Sequence, residues 1–130
     1  MKKNQIHEFQ LGIYPRTIWI AYKCDKDCID SSFCNRDLTD VDFSQSVGNE
    51  YDACVCGNVM FRDDGRYGIL IIINNKLNTS KIAHESGHVA TEIFTDIGAY
   101  LDPNNQEPFM YLLGYIADCI DRVIKNKFDD

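Results

Sequence analysis

Three prolines and no low-complexity or repeated segment interrupt the 130 residues, so nothing in the chain marks a linker between domains. The longest strongly apolar run is Ile69-Leu70-Ile71-Ile72-Ile73, far short of the ~18–20 residues that a membrane helix needs. Met1-Lys2-Lys3-Asn4-Gln5 leads into no apolar segment, so a secretory signal is not expected and a cytoplasmic location is. Basic residues are also scarce: 13 Lys and Arg face 20 Asp and Glu, leaving −7, and no Lys/Arg stripe forms. Phosphate neutralisation supplies most nucleic-acid affinity, so the expected partner is a peptide, protein or small molecule. Apolar residues at 45% and charged residues at 25% are ordinary globular usage, and residues 1–130 read as a single domain.

Six cysteines are present: Cys24, Cys28, Cys34, Cys54, Cys56 and Cys119. Without a secretory signal they are expected as thiols. Cys24-x3-Cys28-x5-Cys34 and Cys54-x-Cys56 offer ligands for a structural zinc, but neither has the paired C-x2-C spacing of such sites. The other reading is small buried residues and loop thiols.

Residues 13–23 contain Thr17-Ile18-Trp19-Ile20-Ala21-Tyr22, the β-branched and aromatic composition of a strand. Residues 24–52 are rich in Asp, Ser, Asn and Cys and read as loop with a short helix. Two further strands, 54–62 and 67–73, flank Asp63-Asp64-Gly65-Arg66, where Asp-Gly favours a tight hairpin turn. The second strand is apolar throughout, as suits a strand covered on both faces. Asn78, Thr79 and Ser80 offer caps for a helix over 81–97, and Gly98 supplies its stop. Another helix is expected from about Pro108 to Lys125. The expected fold is α+β: a small mixed or antiparallel sheet with a β-hairpin, packed on two C-terminal helices.

The first of these helices carries His84-Glu85-Ser86-Gly87-His88, which is H-E-x-x-H, and uses two of the three histidines. Chance would place this pattern in a chain of this composition about 0.2% of the time, before any helical context is required. At about 100° per residue, with His84 at zero, His88 falls near 40°, Thr91 near −20° and Thr95 near 20°. Ile82, Val89, Ala90, Ile93, Phe94 and Ile97 fall between roughly 140° and 280° by the same rule. The imidazoles therefore lie opposite the apolar face, where one Zn2+ can bind both. His7 is isolated and receives no role.

A catalytic zinc needs a third protein ligand and an open position. Glu92 lies one turn beyond His88, too far along the axis to close a tetrahedron. Glu107 opens the second helix and is the preferred third ligand. With Glu107 at zero, Tyr111, Gly114 and Asp118 share its stripe at about 100° per residue, opposite Leu112, Leu113, Ile116, Ile120, Val123 and Ile124. Tyr111 is a candidate donor to developing oxyanion charge or a packing residue. Asp118 is either an orienting partner for an imidazole or a solvated carboxylate. Gly87 and Gly114 each cost a helix about 1 kcal/mol against Ala, which leads us to expect a close approach of the two backbones there.

Ala83-His84-Glu85-Ser86-Gly87-His88-Val89-Ala90 followed by Glu107-Pro108-Phe109-Met110-Tyr111-Leu112-Leu113-Gly114-Tyr115 resembles the gluzincin branch of the zincin metallopeptidases. With Ile13-Tyr14-Pro15-Arg16, these words are also similar to small phage- or prophage-encoded zinc peptidases. The resemblance implies a zincin-like fold, Zn2+ on His84, His88 and Glu107, and Glu85 as general base for hydrolysis of a peptide. The sizeable flanking domains of the large gluzincins are not expected within these 130 residues. Two alternatives follow: a zinc hydrolase of a non-peptide amide, and a catalytically inactive, zinc-stabilised binding protein of phage origin. In a zincin-like layout the edge of the 67–73 strand is expected to take an extended peptide by strand addition.

Overall fold

In a computed structural model that describes residues 5–41 and 52–125, the elements follow in the order β1 (Gln5–Gln10), β2 (Thr17–Tyr22), α1 (Lys26–Ser32), β3 (Phe33–Asn35), β4 (Ala53–Phe61), β5 (Tyr67–Ile73), α2 (Thr79–Ile97) and α3 (Glu107–Lys125). Among the described residues the class is α+β, with a five-stranded sheet and three helices. The chain forms two compact units, Met1–Lys76 and Leu77–Asp130. Among the described residues no helix is long and apolar enough to cross a membrane.

The first unit is a mixed sheet in the order β1-β2-β5-β4-β3. β5 pairs in parallel with β2 and antiparallel with β4. Its all-apolar sequence follows from that central place, and Gly68 to Ile73 are all buried. The same place overturns the expectation of peptide addition at β5, because both of its edges are already hydrogen-bonded. Expected strands and hairpin are present with small shifts in their ends. The turn is looser than two central residues of positive φ would make it: Gly65 alone takes φ 75°, its N–H donating to the Phe61 carbonyl at 2.8 Å. A second irregularity lies between Cys56 and Val59, where the register shifts and Asn58 adopts φ 55°.

Three elements, β1, α1 and β3, lie where the sequence shows little periodicity. β1 pairs antiparallel with β2, so His7 is a strand residue opposite Ile20, and burial pushes its imidazole below the ordinary range. α1 is started by Asp25, whose carboxylate accepts from the Cys28 N–H at 2.8 Å. Residues 42–51 of the stretch read as loop lie outside the described residues.

A hydrophobic cluster covers one side of the sheet, joining Trp19, Ala21, Leu70 and Ile72 to Ile29 and Phe33. Trp19 packs edge-on to Phe33 and stacks on Phe61, with ring centroids 5.4 and 5.5 Å apart. The indole N–H donates to Glu8 at 3.0 Å, and Arg66 grips the same carboxylate with both Nη atoms at 2.7 and 2.9 Å. The outer strand β1 and the β4–β5 turn are thereby tied together. Hydrogen bonding from Arg66 holds the Glu8 carboxyl below the ordinary 4.5.

The second unit is a helical hairpin. Asn78 caps α2 by accepting from the Lys81 N–H at 2.9 Å. Gly98 ends α2 in the left-handed region at φ 74°. Phe94 meets Phe109 edge-to-face at 5.2 Å, bringing the first turn of α3 beside the C-terminal half of α2. Gly87 and Gly114 do not mark a close approach of backbones: a Cβ built on either meets nothing within 4 Å. Gly68, by contrast, is constrained by a neighbour, since a Cβ there lies 2.0 Å from the Thr17 carbonyl oxygen across the β2–β5 pair.

The same substitution therefore has opposite outcomes at two glycines. In chemical denaturation, Gly114→Ala raises stability by about 0.5–1 kcal/mol through helix propensity, whereas Gly68→Ala lowers it by about 2 kcal/mol or more through backbone displacement. The Glu8 clamp gives a pH test. A folded pKa below the unfolded value means that the stabilisation is present above about pH 4.5 and lost as pH falls through the folded value. Glu8→Gln accordingly flattens the acid limb of the stability curve relative to wild type.

Candidate metal centre

Periodicity sets the local arrangement. Val89, Ala90, Ile93 and Phe94 of α2 are buried, and His84 and His88 on the opposite side are exposed. The apolar face extends less far than its pattern, with Ile82 half-buried and Ile97 at the exposed margin. Thr91 and Thr95, on the histidine stripe, turn their hydroxyls back to the Gly87 and Thr91 carbonyls at 2.8 and 2.9 Å. The stripe's outward chemistry near the pair therefore rests on the imidazoles.

The two rings are nearly perpendicular, at 81°, with centroids 4.6 Å apart. Their Nε2 atoms converge to 3.0 Å. Two imidazoles on a tetrahedral zinc, each at about 2.0–2.1 Å, hold their nitrogens about 3.3 Å apart. The pair is thus within a few tenths of an ångström of the separation that a shared ion requires, and the donor type suits zinc.

Glu85 faces differently from its neighbours. It is 8% exposed, and burial raises its carboxyl pKa against the opposing pull of His84 and His88. Its angle, about 100° from His84, places it at the edge of the buried arc and makes this burial readable from the helical repeat.

The structure brings the ring nitrogens of His84 and His88 together, with Glu85 buried between them in sequence. Glu107 is the first residue of α3 and is exposed. Among the described residues no group of three or more His, Cys, Asp or Glu side chains is placed to hold one metal ion. α2 runs nine residues past His88 to Ile97, about 14 Å of helix rise, before the chain reverses. Tyr111 is 75% exposed on α3, and Asp118 is exposed on the same helix. Comparison of the chain with protein families, with curated proteins and with solved structures found no match.

The convergence of the rings has a spectroscopic consequence. Adding one equivalent of Zn2+ shifts the Nε2 resonances of both His84 and His88 in long-range 1H–15N spectra, with His7 unaffected. A shift confined to one of the two rings contradicts a shared site.

Proposed function

We propose that the protein is a zinc-dependent peptidase of zincin-like design. The observation that carries this reading is the 3.0 Å approach of the His84 and His88 Nε2 atoms on an exposed helix face, with a buried carboxyl at the intervening Glu85. His84 and His88 supply two nitrogen ligands, and Glu107, at the start of the adjoining helix, is assigned the third position. A bound zinc supplies Lewis acidity, acidifying water and polarising a carbonyl.

The chain's own groups do the rest. Glu85 accepts the proton of the attacking water and passes it to the leaving amine, and its raised proton affinity suits both transfers. His84 and His88 hold their rings in fixed relation because they sit one turn apart on a helix capped at both ends. Tyr111, on the stripe that Glu107 begins, is assigned as a hydrogen-bond donor to the oxygen that gains charge. The substrate is an extended peptide bound by means other than pairing with β5, whose edges are occupied. An intact Glu85 favours an enzyme over a zinc-stabilised binding protein, since a structural ion needs no base.

Glu85→Gln is expected to keep stoichiometric zinc while lowering peptide turnover by about 10²–10⁴-fold, the usual worth of a general base. Metal analysis beside hydrolysis of a fluorogenic peptide library checks both halves. Undiminished turnover in that variant contradicts the mechanism, and loss of its zinc contradicts the division of roles.

A further inference from the structure

The sheet unit holds a cleft of about 390 Å³ that takes no part in the histidine centre. Register places it: Gln10 pairs with Thr17 and Thr17 with Gly68, so the β1–β2 loop and the β4–β5 turn leave the sheet at one end and wall the cleft between them. Each turn contributes a glycine of positive φ, Gly12 at 72° and Gly65 at 75°. A Cβ built on either meets nothing within 4 Å, so bare backbone lines the cleft on both sides and leaves its volume open. Beside Gly12 the chain bends at Pro15, where the Arg16 N–H donates to the Tyr14 carbonyl at 2.8 Å, a three-residue turn that suits the fixed φ of proline. Tyr14 and Arg16 both line the cleft. Arg16 is half-buried there, with Nη1 donating to the Pro15 carbonyl at 2.8 Å.

The polar lining forms one braced network. The buried Thr17 hydroxyl donates to Gln10 Oε1 at 3.3 Å, and Gln10 Nε2 donates to Glu8 at 3.1 Å. Arg66 holds that Glu8 through both Nη atoms and Asp64 through Nε at 2.6 Å. Every guanidinium nitrogen of Arg66 is thus committed to a carboxylate, and Arg66 brings the cleft shape but no net charge. Positive charge for a ligand comes from Arg16, whose planar fork of five N–H donors matches a carboxylate in two parallel bonds. Tyr67 lines the cleft on the β5 side, and Arg36 stacks over its ring at 4.4 Å from the centroid, adding a second cation nearby. A doubly charged ligand is opposed by the net charge of −7, and the two tyrosines suit a flat apolar body. The volume falls within the roughly 300–1,000 Å³ of small-molecule sites. We propose that this cleft binds a small aromatic carboxylate, its carboxylate forked by Arg16 and its ring held against Tyr14 and Tyr67.

Benzoate, titrated into the full-length protein and followed in 1H–15N spectra, is the probe. It shifts the Gly12 and Gly65 amides along saturable curves and leaves Gly114, in the helical unit, unmoved. The His84→Ala/His88→Ala variant binds benzoate as wild type does, which separates this cleft from a carboxylate held at the histidine pair. Arg16→Gln weakens binding by at least about tenfold, the worth of a charge-assisted hydrogen bond, and Arg16→Lys, which keeps the charge but not the fork, recovers only part of it. Should the Arg16 variants fail to fold, as judged by circular dichroism, wild type serves alone. Benzyl alcohol, the same ring without the charge, then binds at least about tenfold more weakly than benzoate, and phenyl phosphate binds no tighter than benzoate. Any one of four results overturns the proposal: no saturable shift at Gly12 and Gly65, loss of binding in the histidine variant, unchanged affinity in a folded Arg16→Gln variant, or benzyl alcohol or phenyl phosphate binding as tightly as benzoate or tighter in the first case, and tighter in the second.

Discussion

The account depends on one consequence of helical periodicity: residues four apart on α2 stand one above the other, so His84 and His88 turn their Nε2 atoms toward a single point on the solvent side. The apolar residues of α2 occupy the other side, and burying them fixes which way the imidazoles face. Without the run Val89, Ala90, Ile93 and Phe94 the rings have no preferred direction. Glu85, one residue on from His84, is carried by the same repeat to the boundary between the two sides. Burial and outward display thus come from one pattern, and the pattern gives the two imidazoles and the Glu85 carboxyl different surroundings within a single turn.

Much of this was legible because it is local. The caps Asn78 and Gly98, the period of α2 and α3, and the hairpin at Gly65 all act over a few residues, and each sits where composition places it. What escaped was non-local. β1 consists of Gln5–Gln10, with His7 and Glu8 between Ile6 and Phe9 and a glutamine at each end, and it becomes a strand because β2 offers it an edge and because Arg66 and Trp19 tether Glu8. The place of β5 in the middle of the sheet is likewise a matter of topology: its apolar run announces burial on both faces but says nothing about which strands take its edges.

The glycines carry the same lesson with opposite signs. Gly87 and Gly114 look expensive in a helix and so invite an explanation by contact, yet the space above both is open. Gly68 draws no notice in a run of apolar residues, yet it is the position where the Thr17 carbonyl excludes a side chain. Propensity measures what a residue costs its own segment, whereas the neighbour that makes the residue necessary is visible only when strands or helices are assembled. Glu107 belongs to this second kind. Eighteen residues separate it from His88, but spacing along the chain does not specify where a carboxylate lies after a long helix and a reversal.

The most direct test is a crystallographic anomalous difference map recorded at the zinc edge from the protein loaded with one equivalent of Zn2+. The account predicts a peak within about 2.1 Å of the Nε2 atoms of both His84 and His88, with a carboxylate oxygen of Glu107 in the same coordination sphere. A zinc-loaded crystal with no peak between these two rings contradicts it.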